Sequence, residues 1–556
     1  MTETPMPGVV PWPQEEIDFF RAEGLWRDRN LFSFLEDTAR RIPDKTALID
    51  DGDGSRLTYR EVLNRSNAAA WRMREHGFSS GDRIVVILPN SWQFVVLLFA
   101  CFRLGVIPVM ALAGHRRYEL THICDHAEAR ALFAADIWRD FDYRPLAEEL
   151  KKEVDSLEWT YISGDQGEQA SSLDDLLAPL DLEADQRREL DDADFNGLNP
   201  ALFQLSGGTT GLPKLITRTH NDYAYNIEVC TPAAGLTEND VQLAALPIAH
   251  NFGLACPGVL GALFVGATAV LAPSPNPFKV FKAVEREGVT TAAAVPAVAQ
   301  RWISHEAEKR TGKLKTLKVL QVGGARMPDE LAPRVAEVLG ATLQQVYGMA
   351  EGLVNMTRLN DSDEIITTTQ GRPVSRYDEV RVIDQGGNEV SDGERGLLLT
   401  RGPYTPPGYF NAPEANKKSF IDGWYCPGDV VIRRADGNLS VQGRDKDIIN
   451  RGGEKISAEE VESLLYQIQD AEQLAVVAMP DEVYGERVCL YATMAEGRIL
   501  TVDEVRAHLL GVGIAAFKIP ERVEMIDRIP TTKIKKIDKK ALREDITAKL
   551  VAEQNQ

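Results

Sequence analysis

The run Ser206-Gly-Gly-Thr-Thr-Gly-Leu-Pro-Lys214 packs three glycines, three hydroxyl side chains and a lysine into one loop. Gly207, Gly208 and Gly211 let backbone N–H groups close on an anion. Ser206, Thr209 and Thr210 add hydroxyl donors, and Lys214 adds a point charge. Such a loop is a phosphate cradle, and the expected phosphate is a nucleotide's. It is not a Walker A loop, whose lysine precedes Ser or Thr and opens directly into a helix. Here Lys214 follows proline and leads into 215–219, a β-branched, apolar run that reads as a strand. Residues 199–204 before the loop read the same way. Strand, loop, strand makes a hairpin tip that could close over a triphosphate. An ordinary turn needs one or two glycines, not this density of donors.

The elements that position this loop follow from length and pattern. At 556 residues the chain exceeds a single core, so at least two domains are expected. Its 44% apolar and 26% charged residues are those of a globular protein. A formal net charge of −21 disfavours nucleic acid and anionic membrane as partners, while leaving room for a locally positive ATP loop. Six scattered cysteines without C-x-x-C spacing fit a reducing cytoplasm. His122, Cys124 and His126 lie close together but lack a fourth ligand nearby, so helix-face residues are expected rather than a metal centre. The N-terminus has no basic region or early apolar run, so no secretory signal is expected. Residues 94–114 are apolar and long enough to span a bilayer, but Arg103, Gly105 and Pro108 interrupt them. A buried helix to about residue 104, a Gly105 cap and a strand over 106–112 explain the same residues.

Helical patterns at 59–76 and 92–104 alternate with apolar strand patterns at 83–88, 106–112, 131–135, 268–272, 291–295 and 319–322. This predicts an α/β fold with largely parallel sheets flanked by helices. Short strands at 377–383, 396–400 and 430–434 predict a β-rich subdomain. The charged, glycine-flanked stretch 443–453 reads as a linker. Beyond it, helices at 458–467 and 501–510, strands at 475–478 and 488–492, and a final strand-like run predict a small α+β domain. The expected boundaries are 1–444 and 445–556.

Further motifs follow in order: Leu246-Pro-Ile-Ala-His-Asn251, Val322-Gly-Gly-Ala-Arg326, Val346-Tyr-Gly-Met-Ala-Glu-Gly352, Trp424-Tyr-Cys-Pro-Gly-Asp429, Gly443-Arg-Asp-Lys-Asp447 and Pro530-Thr-Thr-Lys-Ile-Lys-Lys536. Together with the loop they resemble the adenylate-forming superfamily of acyl-CoA synthetases, nonribosomal adenylation domains and luciferases. The run from Ala249 with Cys256-Pro-Gly, and Gly348-Met-Ala-Glu-Gly-Leu-Val-Asn355, resemble the stand-alone aryl-acid–AMP ligases of siderophore assembly. The resemblance implies two half-reactions. A carboxylate attacks the α-phosphate of MgATP, releasing pyrophosphate, and a thiol then takes the acyl group and releases AMP. Lys536 matches the catalytic lysine; Lys535 stands where the family usually has glycine, and register picks Lys536. A solvated basic tail is the bland reading of residues 533–540. Glu351 matches the Mg²⁺ carboxylate, with Thr209 as a second metal contact. Tyr347, followed by Gly348 and Met349, is implied to stack on adenine against a wall of Gly323, Gly324 and Ala325. Asp429 and Arg444 are implied to hold the ribose, and Cys426-Pro427 departs from the family's Arg-Thr. Lys446 matches the hinge about which the small domain rotates between half-reactions.

For the acid, Asn251 matches the residue that reads the ortho-hydroxyl and carboxylate, and His250 one near the reacting carboxylate. Phe252, Leu254, Ala255, Cys256, Leu353 and Val354 make the surroundings apolar, which suits a flat aromatic acid. Cysteine at 256, where 2,3-dihydroxybenzoate enzymes carry serine, is a weak partner for a 3-hydroxyl and favours salicylate. Gly253, often proline in this branch, could leave room for a ring substituent such as methyl. The thiol acceptor is expected in trans, on the phosphopantetheine arm of an aryl carrier protein or on CoA. Competing readings are an aryl-CoA ligase, a 2,3-dihydroxybenzoate–AMP ligase, a phosphate-loop ATPase or kinase releasing ADP, and a catalytically silent nucleotide-binding regulator.

Overall fold

A computed structural model describes residues 6–191, 195–206, 212–329, 331–384, 386–444, 448–465, 467–495, 498–530 and 537–554. The chain divides into two compact units, and their main division falls between Gly443 and Arg444.

Two sheets dominate the first unit. The nine-stranded sheet runs Arg372–Pro373, Gly352–Met356, Thr342–Met349, Val319–Gly323, Thr291–Ala294, Val241–Ala244, Thr268–Leu271, Thr46–Asp50, Arg56–Thr58. Its interior pairs are parallel, and its two ends close with antiparallel pairs. The seven-stranded sheet runs Leu215–Thr219, Pro200–Leu205, Ile107–Met110, Arg83–Ile87, Ala131–Ala135, Trp159–Ser163, Ser171–Ser172. It too is parallel, except for the hairpin of its first two strands. Central strands such as Ala131–Ala135 and Thr291–Ala294 are buried at every position. That is why they read as unbroken apolar runs rather than as alternation.

The apolar stretch at 94–114 folds as its interruptions predict. Ser91 caps the helix Trp92–Leu104, Gly105 ends it at φ 76°, and the strand Ile107–Met110 follows. Phe94, Leu97, Phe99 and Phe102 share one core cluster with Leu48 of the larger sheet and Val86 of the smaller. A helix that is apolar all round is buried on all sides, and this one forms the shared core of both sheets. Among the described residues no helix is long and apolar enough to cross a membrane.

An antiparallel sheet built on Glu379–Ile383, Arg395–Arg401, Asp429–Arg433 and Leu439–Arg444 forms the predicted β-rich subdomain. In the second unit, Ala471–Asp481 and Gly485–Met494 form a long antiparallel pair, with Arg522–Met525 parallel beside it. One expectation changes here, and one bland alternative falls away. The supposed linker contains the strand Ile448–Arg451, paired with Glu454–Ser457; Ile449 and Ile456 enter the core, so the apolar pair outweighs the flanking charge. The basic run does not end as a tail. Lys539 and Lys540 open the helix Lys539–Gln554, whose Leu542, Ile546 and Leu550 form a stripe with four-residue spacing against Val477 and Tyr491.

Candidate functional site

The strand Leu215–Thr219, just after the glycine loop, organises much of the first unit's chemistry. One edge pairs with Pro200–Leu205. On the other, Ile216 bridges Tyr409, and the Phe410 N–H donates to the Leu215 carbonyl at 2.9 Å. Thr219 caps the helix His220–Ala233 reciprocally with Asp222, so strand and helix meet without a loop. Asp222 also accepts from Arg218 Nε at 2.6 Å, and both side chains are fully buried. Arg218 continues to the Ala350 carbonyl at 2.9 Å and the Tyr404 carbonyl at 3.3 Å, and its guanidinium lies 4.7 Å from the Tyr223 ring centroid. A buried charge needs such a full set of partners.

Next to Ala350, the Glu351 carboxylate is 8% exposed and accepts from the Tyr409 hydroxyl at 2.9 Å. Tyr425 lies a further 3.3 Å from that hydroxyl. Burial first, then the charge of Glu351, pushes the Tyr409 phenol above its ordinary pKa, so it stays a donor at neutral pH. A carboxylate held through one oxygen by a neutral donor suits a hard divalent cation.

Tyr347 donates to Asp429 Oδ2 at 2.6 Å, joining the large sheet's edge to the antiparallel subdomain. Gly323 and Gly324 end and follow the strand Val319–Gly323. A Cβ at Gly323 would lie 2.7 Å from the Val346 carbonyl and 3.1 Å from the Phe252 ring. Only glycine admits so close an approach, and Gly324 has φ +81°. At Gly323 the missing side chain admits the chain's own Val346 carbonyl and Phe252 ring.

Asn251 opens the short helix Asn251–Ala255, with His250 at its N-cap. Its Oδ1 accepts from the Tyr223 hydroxyl at 2.8 Å, and its Nδ2 lies 3.3 Å from Cys256 Sγ. Asn251 and Cys256 are 6% and 4% exposed. Cys256, Val354, Tyr225 and Tyr404 belong to one apolar cluster, against which Phe252 packs and which extends to Trp12, Phe20 and Trp26.

Three neighbours of Asn251 named from the sequence pack elsewhere than beside Cys256. Leu353 joins Met349, Ile216 and Tyr409 in a separate cluster, because adjacent strand residues face opposite sides and Val354 takes the Cys256 side. Leu254 and Ala255 turn into the main core. At Gly253 a Cβ would stand 2.8 Å from the Pro247 carbonyl, so the missing side chain admits backbone rather than a ring substituent.

Ser206 is buried at the end of its strand. Gly207, Gly208, Thr209, Thr210, Gly211, Lys446 and Lys536 lie outside the described residues. Arg444 ends the strand Leu439–Arg444. Among the described residues no cluster of His, Cys, Asp and Glu forms a metal site; Cys124 is buried, and His126 Nε2 faces the Phe410 carbonyl at 3.1 Å.

Tyr223, Tyr409 and Arg218 carry no motif and were not foreseen. The available signal was Arg218 itself, a charge inside an apolar strand with an aspartate four residues later.

Comparisons place this arrangement among known proteins. Residues 35–410 match the family described as AMP-binding enzyme, and residues 460–536 match the AMP-binding enzyme C-terminal domain. A salicylyl-CoA synthase / salicylate adenylyltransferase of Streptomyces is 48% identical, over 98% of each chain. A salicyl-AMP ligase / salicyl-S-ArCP synthetase of Mycobacterium tuberculosis is 44% identical, over 96% of this chain and 94% of that one. The apo structure of MbtA from Mycobacterium smegmatis superposes with a TM-score of 0.74 at 43% identity, over 97% of this chain and 98% of that one. The chain belongs to the AMP-binding enzyme family, among relatives that are aryl-acid–AMP ligases.

Proposed function

We propose that the protein activates an ortho-hydroxylated aryl acid, salicylate or a substituted salicylate, and hands it to the phosphopantetheine thiol of an aryl carrier protein acting in trans. The observation that carries this reading is the pairing of Asn251 Nδ2 with Cys256 Sγ at 3.3 Å inside an otherwise apolar cluster. One amide donor reads the ortho oxygen, and a thiol offers a 3-hydroxyl little.

A carboxylate oxygen attacks the α-phosphorus, the bond to the β-phosphate oxygen breaks, and pyrophosphate leaves. The thiol sulfur then attacks the acyl carbon, and AMP departs with the former carboxylate oxygen. Asp429, positioned by Tyr347, is suited to accept from ribose hydroxyls, and the backbone at Gly323–Gly324 to lie against adenine. Glu351, with Thr209, would hold Mg²⁺, which supplies neutralisation of phosphate charge. Ser206, the glycine loop and Lys214 would hold the phosphates, and Arg444 the ribose. Residues 445–556 would move about Lys446 and bring Lys536 to the α-phosphate, where charge grows in the transition state. His250, N-terminal to Asn251, would sit near the reacting carboxylate.

A second reading, transfer to CoA, gains support from the Streptomyces relative, whose name gives both activities. The deciding assay is ATP–pyrophosphate exchange with benzoate, salicylate, 6-methylsalicylate, 2,3-dihydroxybenzoate, amino acids and fatty acids. Salicylates should give the strongest exchange. Preference for 2,3-dihydroxybenzoate would overturn the cysteine argument, and no exchange with any aryl acid would overturn the whole reading. Acyl transfer to a carrier protein, compared with transfer to CoA, separates the two acceptors.

A further inference from the structure

Tyr223 is fully buried on the helix His220–Ala233, and neither half-reaction uses it. Its hydroxyl donates to Asn251 Oδ1 at 2.8 Å and accepts from Gln204 Nε2 at 3.4 Å. A hydroxyl has one proton, so accepting from Gln204 directs that proton to Asn251. Burial pushes the phenol's pKa up, which keeps the proton in place across the neutral range. The ring cannot easily rotate away, because the buried Arg218 guanidinium lies 4.7 Å from its centroid. An asparagine whose oxygen is engaged by Tyr223 must turn its NH₂ the other way, toward Cys256, the side where the proposed acid would lie. Thiol sulfur is a weak acceptor, so an amide N–H is left for the ligand.

We infer that Tyr223 is a specificity-determining positioning residue: by fixing Asn251 as a donor toward the acid, it selects ortho-hydroxy over ortho-amino aryl acids. This rests on the aryl-acid reading above. The hydroxyl of salicylate gives its proton to its own carboxylate and presents a lone pair outward, which an amide N–H can meet. The amine of anthranilate has two protons. One goes to its carboxylate, and the other points outward at the same amide N–H. Two donors then face each other in a buried site, leaving both without an acceptor. Without the Tyr223 hydroxyl the amide can turn over and accept from the amine.

The test is ATP–pyrophosphate exchange with salicylate, anthranilate and benzoate, for the wild type, Tyr223→Phe, Asn251→Ala and the double variant. Tyr223→Phe should narrow the salicylate-to-anthranilate ratio of kcat/KM by about tenfold, chiefly through KM, and leave benzoate within about twofold. In the Asn251→Ala background, Tyr223→Phe should add nothing further. An unchanged ratio, or an equal loss on all three acids, overturns the inference, since a packing role alone would do the latter. If Tyr223→Phe proves unstable, Asn251→Ala alone should narrow the same ratio by removing the fixed donor, and an unchanged ratio there overturns the inference. A wild type that uses none of the three acids overturns the reading of salicylate as the acid, on which the inference rests, and that is seen without any variant.

Discussion

At the scale of single residues, a few hydrogen bonds decide how the recognisable side chains can act. Glu351 stood out in the sequence because of its motif, but its orientation comes from Tyr409, which no motif marks. Tyr409→Phe should raise the Mg²⁺ concentration needed for half-maximal exchange by about tenfold. A magnesium titration reads this directly, and an unchanged midpoint would mean that Tyr409 only fills space. Cys256→Ser should improve kcat/KM for 2,3-dihydroxybenzoate relative to salicylate by about tenfold, by supplying the 3-hydroxyl with a competent partner. A competition assay with both acids checks it, and a constant ratio would place the 3-position away from residue 256. The resemblance grouped Asn251, Phe252, Cys256 and Val354, and the fold brings them together. Leu353 falls outside the group, because the alternation of a strand, which a motif read as a string ignores, sends residues 353 and 354 into different clusters.

Elements show the same division between what pattern dictates and what tertiary context adds. The buried helix Trp92–Leu104 and the strand Ala131–Ala135 were legible because buried parallel strands and all-apolar helices have few alternatives. Strand Ile448–Arg451 was hidden by the charges around it, and its two isoleucines count only once a partner strand is known. Helix Lys539–Gln554 was hidden behind its lysines, although Leu542 and Ile546 have helical spacing. The junction of Leu215–Thr219 with His220–Ala233 depends on Asp222, which completes the capping box with Thr219 and pairs with Arg218. Asp222→Ala removes the reciprocal half of the capping box and strands a buried guanidinium, so unfolding free energy should fall by about 3–5 kcal/mol. Equilibrium denaturation measures it. A loss below about 1 kcal/mol would mean that water reaches Arg218.

For the whole molecule, one buried acid ties stability to pH. The Asp378 Oδ1 atom is buried without a hydrogen-bond partner, while Oδ2 accepts from the Tyr404 hydroxyl. Burial pushes this carboxyl up to about 8 from an ordinary 3.8. Between those values the unfolded chain has released a proton that the folded chain keeps. Stability from this group is therefore full below about pH 4, declines as pH rises, and levels off above the folded value. Asp378→Asn stays neutral throughout, so its melting temperature relative to the wild type should rise between about pH 5 and pH 8. A constant difference across that range would show that the carboxyl ionises in the folded protein. Global sequence features foretold an acidic, multi-domain α/β chain. They could not reveal such a group, because an aspartate's surroundings are set by residues far away in sequence, such as Tyr404.

Arg218 has one more implication, for how such a protein can change its substrate. Its guanidinium touches the Tyr223 ring on one side and bonds the Ala350 carbonyl, next to Glu351, on another. Selection for a new acid that reshapes the Tyr223 side of the pocket therefore also disturbs the support of the carboxylate next in sequence to Ala350. Change at Cys256 or Val354 reaches Arg218 only indirectly, through Tyr404, whose cluster they share and whose carbonyl Arg218 also bonds. On the proposed function, divergence in acid preference would be channelled toward the apolar wall, where the tie to Arg218 is less direct than at Tyr223.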